Sequence, residues 1–175
     1  MRIAISGKSG CGNTTVSSMV SKELGYPMIN FTFRNLAEER QMDFWDLAAL
    51  AEKDDSIDFE LDRRQVEMAL AQKDCVLGSR LAIWMLKEAD LKIYLDATVE
   101  ERARRIHERE GGALEEKIAE TSARDAKDTA RYKRLYDIDN NDPAVADIRI
   151  DTTRKSAAEV ARIIVNEVRS RTKNS

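Results

Sequence analysis

Apolar residues in this chain arrive as short unbroken runs set between longer amphipathic stretches. The runs at 3–6, 27–31, 75–78, 91–95 and 148–151 stay apolar on successive positions, as strands covered on both faces do. Helical periodicity fills the spaces between them. Residues 14–24 carry Val16, Met19, Val20 and Leu24, and residues 58–71 carry Leu61, Val66, Ala69 and Leu70. Residues 79–87 carry Leu81, Ile83, Trp84 and Leu86, and the stretches 99–109 and 157–169 complete the set. Strands alternating with helices predict a five-stranded parallel sheet with helices on both faces. Two stretches exceed that alternation. Residues 32–72 hold two or three helices between the second and third strands. Residues 99–145 form a charged helical hairpin turned at Gly111-Gly112. Both leave the carboxyl ends of strands, where open parallel sheets bind ligands, and both are placed to close over a substrate.

At 175 residues and 42% hydrophobic, the chain suits one domain with a real core. A net charge of −3 gives no general attraction to a nucleic acid polymer or a membrane, so local basic clusters must carry any anion binding. Cys11 and Cys75 are too few for a disulfide framework, which points to reduced thiols and a cytoplasmic location. The first strand begins at once, so no signal peptide is expected. No apolar run approaches the roughly 18 residues of a spanning helix.

The chemistry concentrates in Gly7-Lys8-Ser9-Gly10-Cys11-Gly12-Asn13-Thr14, between the first strand and the first helix. Glycines let a backbone wrap its N–H groups around an anion, and the helix start adds its positive end. Thr14 is placed to offer a hydroxyl to Mg²⁺. The phosphate-loop pattern wants lysine where Asn13 stands. An asparagine donates hydrogen bonds but cancels no charge, a loss worth about 10²-fold in phosphoryl transfer. Lys8 is one stand-in, and the arginines elsewhere are better ones.

Arg124, Asp128 and Arg131 fall within about 60° on one helical face, two guanidiniums around a carboxylate. They suit either a phosphate clamp or a solvated ion pair. Arg80 follows the third strand and opens a helix, close to the loop. Arg34 follows the second strand at a similar level. Arg63 and Arg64 open a helix in the first insertion, beside Asp58, Glu60 and Asp62. His107 reads as a surface residue, Cys75 as a buried strand residue, and Trp45 and Trp84 as packing. No Cys/His cluster suggests a structural metal.

With these residues in place, the chain resembles the cytidylate kinases of the short, archaeal type among the nucleoside monophosphate kinases. The likeness runs through residues 5–15, 33–37, 57–65, 76–84, 94–103, 124–132 and 150–153. It implies an α/β phosphate-loop three-layer sandwich forming one domain, 1–175. The core would be 1–31, 73–98 and 146–175, with a monophosphate-binding insertion at 32–72 and a lid at 99–145. It implies transfer of a phosphoryl group from ATP·Mg²⁺ to CMP or dCMP by a monomer. Gly7, Lys8, Ser9, Gly10, Cys11, Gly12, Asn13, Thr14 and Thr15 would bind ATP, with Arg102 stacked on the adenine and Thr152 and Thr153 at its edge. Arg34, Arg64, Arg80 and Asp128 would bind CMP. Arg124, Arg131 and Arg80 would stabilise the moving phosphoryl group. Two departures stand out: Asn13 replaces the bacterial lysine, and Leu81 stands where bacterial enzymes have an acid. Two other readings remain open: a nucleotide binder without turnover, and a phosphate-loop kinase whose Asp128 activates a non-nucleotide alcohol.

Overall fold

Each apolar run becomes a strand of one parallel sheet in the structure, a computed structural model that describes residues 1–173. The elements run β1 Arg2–Gly7, α1 Asn13–Leu24, β2 Met28–Ile29, α2 Phe33–Glu39, α3 Phe44–Ala51, α4 Ser56–Leu70, β3 Cys75–Gly78 and α5 Ala82–Met85. They continue β4 Leu91–Asp96, α6 Val99–Glu110, α7 Leu114–Tyr136, β5 Ile148–Asp151 and α8 Ala157–Lys173. The strand order is β2-β3-β1-β4-β5, every pairing parallel. Strand order reverses on passing β1, so the loop after β1 opens at the crevice where such sheets take ligands.

Strand residues alternate between two cores. Ile3, Ile5, Ile93 and Leu95 pack with Val16 and Val20 of α1 and Ile164 and Val168 of α8. Ala4, Leu77 and Tyr94 pack on the other face with Ile83 and Leu86 around α5. The segment 32–72 supplies three helices and a small core of its own, with Phe31, Leu36, Leu47 and Ile57.

Hydrogen bonds to other elements shorten two expected elements. The second strand covers Met28–Ile29 rather than 27–31. Beyond it the Phe31 carbonyl accepts from Gln65 Nε2 at 2.7 Å, and Thr32 caps α2 in a capping box with Asn35, so the chain leaves the sheet early. The helix expected at 79–87 is only Ala82–Met85. Ser79 N–H still bonds Ile5 O at 3.1 Å, and Ile83 N–H is taken by the Ser6 hydroxyl at 3.1 Å. Arg80 therefore sits in the turn between β3 and α5, not at a helix start. Arg63 and Arg64 likewise lie inside α4, which begins at Ser56 rather than Asp58. Trp84 packs edge-on to Tyr94, whereas Trp45 is 75% exposed and packs only along Phe44. Cys75 is buried in β3. Among the described residues, no helix is long and apolar enough to cross a membrane.

Candidate active site

The loop between β1 and α1 is shaped by glycine and closed by Asn13. Gly10 and Gly12 sit at φ 84° and 97°, where a side chain is strained, and a Cβ on Gly10 would come within 2.8 Å of Arg102. Asn13 Nδ2 donates to the Gly7 carbonyl at 2.5 Å, so the residue in the lysine position ties the loop to its own first carbonyl. Its Oδ1 is buried without a hydrogen-bond partner. Thr14 and Thr15 are exposed on the first turn of α1. Burial pushes the Cys11 thiol up to about 11, so it stays protonated and unreactive at neutral pH.

A cavity of about 770 Å³ opens between this loop, α6 and the turn after β5. Lys8, Arg80, Arg104, Arg105, Arg109, Arg154 and Lys155 line it, against Glu101 as the one acid. Arg105 joins its walls: it donates to Gly10 O at 3.3 Å, to Thr152 O at 2.6 Å and to Thr152 Oγ1 at 3.1 Å. The Thr152 N–H bonds Asp96 O at 2.7 Å, and Thr153 Oγ1 accepts from Thr98 N–H at 3.2 Å, so both threonines are engaged in fixing that turn.

Arg102 departs from the stacking role that the resemblance implies. It is 4% exposed, gives a bidentate pair to Asp125 at 3.0 and 2.5 Å, and donates to Ser9 O at 3.1 Å and Ala97 O at 3.2 Å. It braces the loop from beneath and shows no flat face to a base. Arg104, Arg105 and Arg109 are the α6 arginines that line the cavity.

Helix α7 divides its charged face among three sites. Arg124 reaches Ser9 Oγ at 3.5 Å, Asp128 accepts from Arg80 at 2.7 Å, and Arg131 pairs with Asp58 and donates to Ala51 O at 3.3 Å. The two arginines thus do not flank Asp128 as an intrahelical pair. Burial raises the Asp128 carboxyl, with Arg80 and then Arg124 pulling the other way. Lys8 bonds Asn141 Oδ1 at 2.6 Å and lies 4.0 Å from Asp125.

Across from α7, Arg64 stacks 4.7 Å over Phe31 and bonds Glu39 at 2.9 Å, while Arg63 points outward to Glu67. Arg34 is exposed, 5.3 Å over Phe44. Ion pairs Lys127–Glu52 at 3.0 Å and Arg134–Asp55 at 2.9 Å join α7 to this insertion. Tyr136 adds a hydroxyl donated to Asp62 at 2.5 Å.

Asp62 has a measurable signature. Its carboxyl is pushed from 3.8 up to about 6, first by burial and then by the nearby Asp58, against the Tyr136 bond and Arg131. Between these values the folded chain holds a proton that the unfolded chain has released, so stability falls as pH rises from about 4 to about 6 and stays lower above. Asp62→Asn removes that cost. It is expected to stabilise the fold by on the order of 2 kcal/mol at pH 7 and by little near pH 4, read from urea unfolding at the two pH values.

Asp125, Arg105 and Tyr136 are residues around the cavity and α7 that sequence reading passes over, and it gives Asp58 only as a neighbour of Arg63 and Arg64. Only Arg105 carries a local signal, as the i+4 partner of Glu101 at 2.9 Å. His107 is half-buried rather than a plain surface residue, with Nδ1 lacking a partner.

A family model described as the cytidylate kinase-like family matches residues 30–154. A protein named cytidylate kinase 2 from Borrelia garinii subsp. bavariensis is 44% identical, covering 98% of each chain. One named cytidylate kinase from Pyrococcus abyssi is 41% identical over 93% of this chain and 90% of its own. Among solved structures, shikimate kinase from Acinetobacter baumannii aligns with a TM-score of 0.62 at 18% identity, over 97% of this chain and 93% of that one. Deoxyadenosine kinase from M. mycoides aligns with a TM-score of 0.58 at 18% identity, over 97% and 100%. At such identities these two establish the phosphate-loop kinase fold and nothing finer.

Proposed function

The chain belongs to the cytidylate kinase-like family and is a nucleoside monophosphate kinase; from that premise we propose that it transfers the γ-phosphoryl group of ATP to CMP, and to dCMP, giving ADP and CDP or dCDP. The observation that carries this reading is Arg80. It lines the same cavity as the phosphate loop and is bonded to Asp128 of α7, so one cation stands between a donor cradle and an acceptor clamp. A phosphoryl group moving between two nucleotides needs its charge neutralised at that place.

Each part then has a role. Loop N–H groups from Gly7 to Thr15 hold the donor phosphates, with Arg104 and Arg105 on the far wall of the cavity. Asn13 keeps the loop closed and supplies no charge. That charge comes from Lys8, Arg80 and Arg124, which already lie at the loop. Arg34 and Arg64 hold CMP from residues 32–72, and Arg131 is released from Asp58 when the lid region, 99–145, closes. The acceptor phosphate is itself anionic, so no protein base has to remove a proton.

Among the described residues, no group of three or more His, Cys, Asp or Glu could hold a metal ion. In this reading Mg²⁺ would arrive on ATP, with Thr14 as its protein ligand, and would neutralise phosphate charge when bound. We place the enzyme in the cytoplasm as a monomer, with Cys11 and Cys75 as free thiols.

Coupled spectrophotometric assays with ATP and each of CMP, dCMP, UMP and AMP test the reading. Turnover is expected with CMP and dCMP well above that with AMP. No turnover above background with any of the four would sink it.

A further inference from the structure

We propose that Asp62 reads the exocyclic amino group of the acceptor base and thereby sets the preference for cytosine over uracil; this rests on the reading of the acceptor as a cytidine monophosphate. The carboxylates between the insertion and α7 otherwise have cations: Glu52 has Lys127, Asp55 has Arg134, Asp58 has Arg131 and Asp128 has Arg80. Asp62 alone among these is met by a neutral group, the Tyr136 hydroxyl on Oδ2. A cation-paired carboxylate is already satisfied in charge, whereas one met only by a hydroxyl remains a strong acceptor for a neutral donor.

Its position suits a base. Asp128, bonded to Arg80 at 2.7 Å, is followed along α7 by Tyr132 and Tyr136 at four-residue steps, about 6 Å of axis each. The line from the phosphate-clamping arginine therefore passes two tyrosines and ends at Asp62. Cytosine carries an amino donor where uracil carries a carbonyl. An ionised carboxylate accepts from the first and repels the second. At pH 7 Asp62 is mostly ionised, its carboxyl titrating at about 6. The fold thus keeps a half-buried acid that weakens it, which is characteristic of groups retained for binding or catalysis.

Initial rates with ATP and varied CMP or UMP, for wild type, Asp62→Asn and Asp62→Ala, decide the matter, with thermal melts run beside them. An amide can turn either end to the base, so Asp62→Asn is expected to lower the CMP-to-UMP ratio of kcat/KM at least about tenfold. The loss should lie mainly in KM for CMP, with Tm no lower than wild type. Asp62→Ala should lower the same ratio, so poor folding of one variant leaves the other to read. A purely structural acid would leave the ratio alone, whatever the change in Tm. An active wild type whose ratio is unchanged in both variants overturns this assignment and leaves the kinase reading standing. A wild type inert with both nucleotides overturns the two together.

Discussion

Arg80→Ala is expected to lower kcat/KM for CMP by about 10³-fold, most of it in kcat. Removing one preorganised donor from a developing negative charge costs about 10²- to 10³-fold. Arg80 belongs at the upper end because Asn13 gives the loop no charge to fall back on, its amide being spent on Gly7 O. The variant also leaves Asp128 without its 2.7 Å partner, and a part-buried carboxylate facing the transferred phosphoryl group repels it. Arg80→Lys restores a charge but not the planar fork, so it should recover only part of the rate. Initial-rate kinetics at saturating ATP, with a thermal melt to show that each variant folds, provide the check. An Arg80→Ala enzyme within tenfold of wild type would mean that Lys8 and Arg124 supply the charge without it.

How much of this site could be read beforehand depended on how local each interaction is. The loop Gly7–Thr14, the strands around it and the turn at Gly111-Gly112 follow from residues close in sequence, and the structure has them. The inward arginine of the pair 63–64 was also within reach. Ile57 is fully buried, and Arg64, seven residues on, falls on the same face. The partners of α7 were not. Arg124, Asp128 and Arg131 share a helical face in sequence, yet each meets a different element, because the loop, the β3–α5 turn and the insertion converge there only in the folded chain. The late start of α5 is set from 74 positions away, where Ser79 N–H stays bonded to Ile5 O, and the Ser6 hydroxyl then takes the first-turn Ile83 N–H. Trp45 looked like core by its neighbours but lies on the outer side of α3, whose buried residues are Leu47 and Ala51.

The buried ion pair of Arg102 carries the second large effect: Arg102→Ala is expected to lose about 3–5 kcal/mol of stability, with Tm falling by on the order of 10 °C. The pair it makes with Asp125 is buried, at 4% and 15% side-chain exposure, so the variant strands a carboxylate whose one other ion-pair partner among the described residues is Lys8, 4.0 Å off. Asp125→Ala alone strands the guanidinium instead and should cost a similar amount. The double variant removes both charges and should regain part of the loss, giving a coupling of at least about 1 kcal/mol in a double-mutant cycle. Function should suffer through the loop, since Arg102 also holds Ser9 O at 3.1 Å. KM for ATP is thus expected to rise together with the fall in Tm, and to recover partly in Arg102→Lys. A residue stacked on adenine would behave otherwise, raising KM for ATP while leaving Tm where it was. That outcome would return the base-stacking role to Arg102 and leave Arg105 as the residue that fastens Gly10 to Thr152.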